Sequence, residues 1–209
     1  RLFPEFFIGK HMYASDTVLI ALHYQNENCH PEGKIKVGIG NESSWRHERL
    51  ENAKKLFSIL REYRIPIIHV QLAVKADMST VTQNNFIFKQ WVELGAWKEH
   101  TWGIDFFDGL APNRDEIVVR HSRNNGFFGS CLEEVLFKIK PKNLLCSGVS
   151  TAYAVESTVR HASDIGYEVT VVSDACSTAT QKQHLAALHA MSLLASIKTV
   201  KEIQAELKK

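Results

Sequence analysis

Apolar, β-branched runs recur along the chain at Thr17–Leu22 (TVLIAL), Pro66–Leu72 (PIIHVQL), Glu116–Arg120 (EIVVR), Asn143–Val149 (NLLCSGV) and Glu168–Ser173 (EVTVVS). Their apolar character is continuous rather than alternating, which predicts strands covered on both faces and therefore parallel. Between them the period changes to that of helices. Trp45–Arg64 places Leu50, Ala53, Phe57, Leu60 and Tyr63 on one side, behind the cap candidates Ser43 and Ser44. Ser130-x-x-Glu133 reads as a capping box ahead of Leu132, Val135, Leu136 and Ile139. Ala154–Ile165 is followed by Gly166, a suitable C′ residue, and Gln181–Ser196 forms an alanine- and leucine-rich fourth segment. Strand and helix alternate throughout, so a single doubly wound α/β domain is expected over residues 1–209, with 1–15 as an N-terminal extension.

Residues 73–109 break this pattern. The stretch is aromatic (Phe86, Phe88, Trp91, Trp97, Trp102, Phe106, Phe107) and weakly periodic. Segments of that length inside a compact domain are usually lids or oligomer contacts.

Composition narrows the function classes. The 209 residues are 44% hydrophobic and 23% charged, with 11 Gly and 5 Pro, which excludes a disordered or low-complexity chain. The 25 basic and 23 acidic residues are spread evenly for a net charge of +2, so neither nucleic acid nor an acidic membrane is the expected partner. No apolar run reaches membrane-span length and no signal-peptide order is visible, so a cytoplasmic protein is expected. The chain opens at Arg1 without a methionine, which suggests trimming and leaves any leader outside it. Cys29, Cys131, Cys146 and Cys176 include no CxxC spacing and read as reduced thiols.

In an open parallel sheet, ligands bind beyond the carboxyl ends of the strands. The residues there are His23-Tyr24-Gln25-Asn26, His121-Ser122-Arg123-Asn124, Ser150-Thr151-Ala152-Tyr153-Ala154 and Asp174-Ala175-Cys176. Two imidazoles, an arginine and a small-residue turn would then share one mouth. The alternative for either histidine is a packed structural residue, for Asp174 a turn cap, for Arg123 a loop tie, and for Phe127 and Phe128 core or pocket wall.

The stretches TVLIALHYQNENCHPEG, RHSRNNGFFGSCLEEVL and SGVSTAYAVESTVRHASDIGYEVTVVSDACST resemble the isochorismatase-like superfamily of cysteine hydrolases, from about Asp16 to Val200. The resemblance implies a six-stranded parallel sheet with helices on both faces, a three-layer α/β/α fold, usually as a homodimer or homotetramer. It also implies a cis peptide between Val149 and Ser150, with the backbone N–H groups of Ser150 and Ala154 as oxyanion hole. The family's chemistry rests on Asp, Lys and Cys, and at the matching positions this chain has His23, His121 and Ala154. Gln25 is kept after the first position.

Ala154 cannot attack a carbonyl, so an acyl-enzyme route is excluded for this chain as written. The resemblance and the residues together suggest an enzyme without a covalent step. His23 would be the general acid, and His121 a base or, if protonated, an anchor in place of the lysine. One charged and one neutral imidazole is the expected state near pH 7. The substrate would be a small, aromatic or unsaturated metabolite bearing a carboxylate. The reaction would be ether or ester hydrolysis, isomerisation or cyclisation. Arg123 would take the carboxylate, with Tyr24, Gln25, Trp102, Phe127 and Tyr153 contributing to the substrate site. The alternatives are an inactive relative that binds a metabolite or protein, and an amidohydrolase trapped by a Cys→Ala change.

No cofactor is implied. A metal site of His23 and His121 with His69 or Asp174 is the weaker reading, because no HxH, HxxxH or acidic triad accompanies them and QLAVKAD at 71–77 does not form the metal loop of nicotinamidases. Cys131 and Cys176 are the thiols to examine as displaced nucleophiles, with a buried, inert Cys131 as the plainer expectation.

Overall fold

A computed structural model of the chain describes residues 12–36 and 43–208. Six parallel strands form its sheet: β1 Thr17–Leu22, β2 Ile67–Leu72, β3 Ile117–His121, β4 Asn143–Gly148, β5 Glu168–Val172 and β6 Ser196–Lys198, in the order β3-β2-β1-β4-β5-β6. Besides the single turn Asn26–Cys29, the helices are α1 Ser43–Glu62, α2 Phe86–Leu94, α3 Leu132–Ile139, α4 Glu156–Asp164, α5 Gln181–Met191 and α6 Val200–Glu206. Met12–Tyr13 pairs in parallel with Leu207–Lys208 beside the main sheet.

The sheet is doubly wound because β1 is buried on both faces. Val18, Ile20 and Leu22 pack into one core with Leu132 and Leu136 of α3, Val159 of α4 and Leu188 of α5. Leu19 and Ala21 face the other, with Leu50, Ala53, Phe57 and Leu60 of α1 and Ile203 of α6. Each such buried aliphatic side chain contributes roughly 1.5–3 kcal/mol, so two cores on one strand leave β1 little freedom.

Residues 73–109 carry structure of their own. Val74 bridges Lys98, α2 ends at Gly95 in the left-handed region (φ 60°), and Leu72, Val74, Val81, Phe88, Trp91 and Trp97 form a third apolar cluster. The segment is fastened to the sheet end by Gln25, which is fully buried. Its Nε2 donates to the Leu72 and Ile104 carbonyls and its Oε1 accepts from the Leu72 amide.

Several local expectations change. Ser43 and Ser44 lie inside the first turn of α1 rather than before it, and their side chains lie outside the described residues. The Ser130/Glu133 capping box does not form: Cys131 holds the N-cap position of α3 and Ser130 Oγ accepts from Leu132 N, one residue early. Ala154 sits in a π-helical turn, Thr151–Val155, that precedes α4, and Gly166 follows Ile165 at φ 97°. The fourth helical segment stops at Met191, and Ser196 opens β6.

Candidate active site

β1 lies between β2 and β4, and the chain leaves toward opposite edges of the sheet from these two strands, so their carboxyl ends open a crevice. His23 follows β1 directly with φ 54°, a left-handed conformation for which His is enriched among non-glycine residues. Its amide donates to Val70 O of β2, which holds it at the strand end. His121 is the last residue of β3 and pairs with Leu72 of β2. The two histidines therefore reach over the end of β2 from either side, and their Nε2 atoms lie 2.6 Å apart.

Both rings are buried, with ring centroids 4.8 Å apart. Burial, aided by the neighbouring imidazole, holds His23 well below its usual range. Burial likewise holds His121 at about 4, the Asn125 backbone favouring its charged form and Arg123 opposing it. Nδ1 of His121 has no hydrogen-bond partner of good geometry among the described residues. These directions run against the expectation of one charged and one neutral histidine near pH 7, because desolvation favours the neutral form of both rings.

The third element is the turn after β4. Gly148 is needed there, because a Cβ at that position would lie 2.3 Å from Leu22 O of β1. The Val149–Ser150 peptide is cis. Val149 N donates to Leu22 O, Asn28 Nδ2 donates to Val149 O, and Thr151 N donates to Ser177 O, so the turn is fixed from three sides. The amides of Tyr153 and Val155 both donate to Ser150 O, whereas that of Ser150 makes no backbone hydrogen bond among the described residues.

His23, Ser150, Ala154 and Tyr153 border one cavity of about 30 Å³. That is about the room of one water molecule. Asn28 and Asn124 supply its remaining polar wall, and Leu72, Val149, Ile35, Ile87 and Trp97 close it with apolar surface. Trp97 is positioned by Glu27, whose carboxylate is buried and accepts from the amides of Lys34 and Trp97. His121 stands behind His23 rather than on the cavity wall.

The other candidate residues are placed elsewhere. The Tyr24 hydroxyl donates to Ala175 O and accepts from the Ser147 hydroxyl within the α1-side core, and Gln25 is the clamp described above. Trp102 is 48% exposed and meets His30 edge-on. Arg123 donates to the carbonyls of Ser122 and Thr80 and lies over the Phe88 ring, tying the 73–109 segment to the β3 end. Phe127 is in the core against His161, and Phe128 is exposed.

His69 pairs with Glu116, and Asp174 Oδ1 accepts from Val200 N, so neither joins the two histidines. Among the described residues no group of three or more His, Cys, Asp or Glu side chains is gathered for a metal ion. Cys131 is exposed rather than buried, since it stands at a helix cap, while burial pushes the Cys176 thiol up to about 12.

Asn28 and Asn124 were within reach of sequence reasoning, each just beyond a strand end that the pattern had marked. Trp97 and Ile87 were not, because their place over the cavity depends on how a long connection folds back.

The isochorismatase domain model matches residues 17–202. The isochorismatase family protein YddQ of Bacillus subtilis is 27% identical over 164 residues, 78% of this chain and 79% of its own length. YecD of Escherichia coli O157:H7, of the same family, is 28% identical over 195 residues, 91% of this chain and 95% of its own. Among solved structures, a cysteine hydrolase from Pseudomonas syringae pv. phaseolicola superposes with a TM-score of 0.84 at 18% identity, over 95% of each chain. No helix among the described residues is long and apolar enough to cross a membrane.

Proposed function

This chain belongs to the isochorismatase family, and from that premise we propose that it is a member without the cysteine nucleophile, in which a histidine pair performs non-covalent acid/base chemistry. In this reading His23, His121 and Ala154 occupy the positions of the family's Asp, Lys and Cys. The observation that carries it is the 2.6 Å contact between His23 Nε2 and His121 Nε2, with His23 bordering a cavity that Ala154 also borders.

At that separation one Nε2 carries a proton and the other accepts it. With the pair's second proton on His121 Nδ1, His121 Nε2 accepts from His23 Nε2–H, and the free lone pair of His23 is on Nδ1. His23 is then the catalytic base toward a bound water or substrate proton, and His121 is a positioning residue. An imidazole this easily deprotonated is a weak base at rest. A carboxylate-bearing substrate raises its affinity for a proton, since a buried negative charge beside it favours the imidazolium. Binding of an anion and uptake of a proton are therefore coupled.

The amides of Ser150 and Ala154 would hold negative charge that develops on oxygen. A substrate larger than water requires the cavity to widen. A homo-oligomer is the proposed assembly, with the reaction being ether or ester hydrolysis, isomerisation or cyclisation of a small unsaturated acid.

The test is incubation of a metabolite extract with the protein or with its His23→Ala/His121→Ala variant, compared by mass spectrometry. A compound consumed by the unmodified protein alone supports the reading. Equal turnover by both proteins overturns the histidine mechanism, and tight retention of a compound without turnover replaces catalysis by binding.

A further inference from the structure

A second polar cluster lies on the α1 side of the turn after β4. Trp45, Arg46 and Arg49 stand in the first turns of α1, Ser177 and Thr178 follow β5, and His184 of α5 packs edge-on to Trp45 with ring centroids 5.3 Å apart. Arg49 lies over the Trp45 ring, 5.3 Å from its centroid. Ser177 is also the partner of the turn itself, through Thr151 N and Gly148 O.

Trp45 Nε1, Arg46 Nε and Nη1, Arg49 Nε, Ser177 Oγ and Thr178 Oγ1 are buried atoms without a hydrogen-bond partner among the described residues. Arg46 is only 8% exposed, Ser177 1% and Thr178 0%. Buried polar groups in folded proteins are almost always satisfied, so six unsatisfied ones in one neighbourhood call for a missing acceptor. Asp174, whose carboxylate feels the Arg49 charge, is engaged through Oδ1 by Val200 N. Arg46 and Arg49 are three residues apart and so share a helix face. They also sit at the helix end whose dipole disfavours cations, and no acidic side chain stands in that first turn.

We propose that this cluster is a binding site for a small oxyanion of the phosphate class, held by Arg46 and Arg49 with Trp45 Nε1 and the Ser177 and Thr178 hydroxyls. Two guanidinium groups supply the charge, and the indole and hydroxyl donors leave no place for a cation or an apolar ligand. Six donors match the several acceptor oxygens of a tetrahedral anion better than the two of a carboxylate. The site is separate from the histidine cavity, and its occupancy does not depend on His23 or His121.

The test is titration with inorganic phosphate at constant ionic strength, followed by calorimetry and by thermal unfolding, with chloride as the control anion. Phosphate is expected to bind and raise the unfolding temperature beyond the chloride control, and His23→Ala/His121→Ala is expected to bind it equally. Arg46→Gln and Arg49→Gln should each weaken binding by at least about tenfold, as loss of a charge-assisted donor does. Thr178→Val, which removes a hydroxyl without a change of charge or size, should weaken it by less and covers the case in which an arginine variant does not fold. Indistinguishable responses to phosphate and chloride, or undiminished binding in folded Arg46→Gln and Arg49→Gln, would overturn the site.

Discussion

His23 and His121 share a single proton between Nε2 atoms 2.6 Å apart, because two N–H groups cannot point at each other at that distance. One shared proton fits either a neutral or a singly charged pair, and the desolvation that lowers both rings favours the neutral pair, with opposite tautomers at its two ends. Imidazole ¹⁵N spectra at pH 7 should show two neutral rings, and His121 should titrate near pH 4, where burial holds it. An imidazolium spectrum at pH 7 for either ring would contradict the desolvation argument.

The same burial makes stability depend on pH with a definite sign. An unfolded histidine takes up its proton near pH 6.5, whereas His121 and His184 in the folded chain resist until about pH 4. Between those values the unfolded state binds more protons, so stability is full above pH 6.5 and falls as the pH drops toward 4. Each such histidine alters the slope by up to about 1.4 kcal/mol per pH unit. Glu116 acts lower down. Despite its burial, the hydrogen bonds from Arg61, the Asn113 amide and His69 hold it at about 2, so its contribution is lost only as the pH falls below about 4.5 toward that value. Urea unfolding from pH 7.5 to pH 4 should show the decline, and His121→Asn should flatten it.

Ala154 gives a second check on the site. In Ala154→Cys the new thiol would stand on the cavity wall with Ser150 and His23. Neither neutral histidine is a strong enough base to remove its proton at pH 7, and no lysine stands where His121 is. The expected thiol is sluggish toward iodoacetamide at pH 7 and faster as the pH rises through its ordinary range. Rapid alkylation at pH 6 would mean that the pair activates a thiol after all.

The strands were legible because β1, β2, β4 and β5 are buried on both faces and set the two cores; β3 kept an apolar run but lies at the sheet edge with Ile117 and Val118 exposed, not covered on both faces as the run implied. Ser196–Lys198 was not, since three half-buried residues carry no period. His23 and His121 could be placed at strand ends from the chain alone, but not 2.6 Å apart, which needs β1 and β3 to flank β2. Tyr24, Gln25 and Arg123 were near in sequence and went elsewhere for the same reason: each satisfies its polar atoms on backbone groups that the folded 73–109 segment or the α1-side core provides. The Arg46 cluster had no signal in the pattern, because Arg46 and Arg49 fall on helix positions where charged residues are ordinarily solvated.

Gly103 offers a test of how Trp97 is held over the cavity. A Cβ at Gly103 would lie 1.8 Å from Oε2 of Glu27, the carboxylate that accepts from the Trp97 amide. Gly103→Ala must therefore displace Glu27, and Trp97 loses that support. Overpacking of this kind costs typically 1–3 kcal/mol, so urea unfolding should show a loss of that order. Glu27→Gln keeps the shape and one acceptor oxygen, and should lose less. Trp97 is 2% exposed in the intact chain, so its release should shift the tryptophan emission to the red in Gly103→Ala and not in Glu27→Gln. A red shift of equal size in both would show that charge rather than space on Glu27 holds the indole, and no shift in either would remove Glu27 from the support of the cavity.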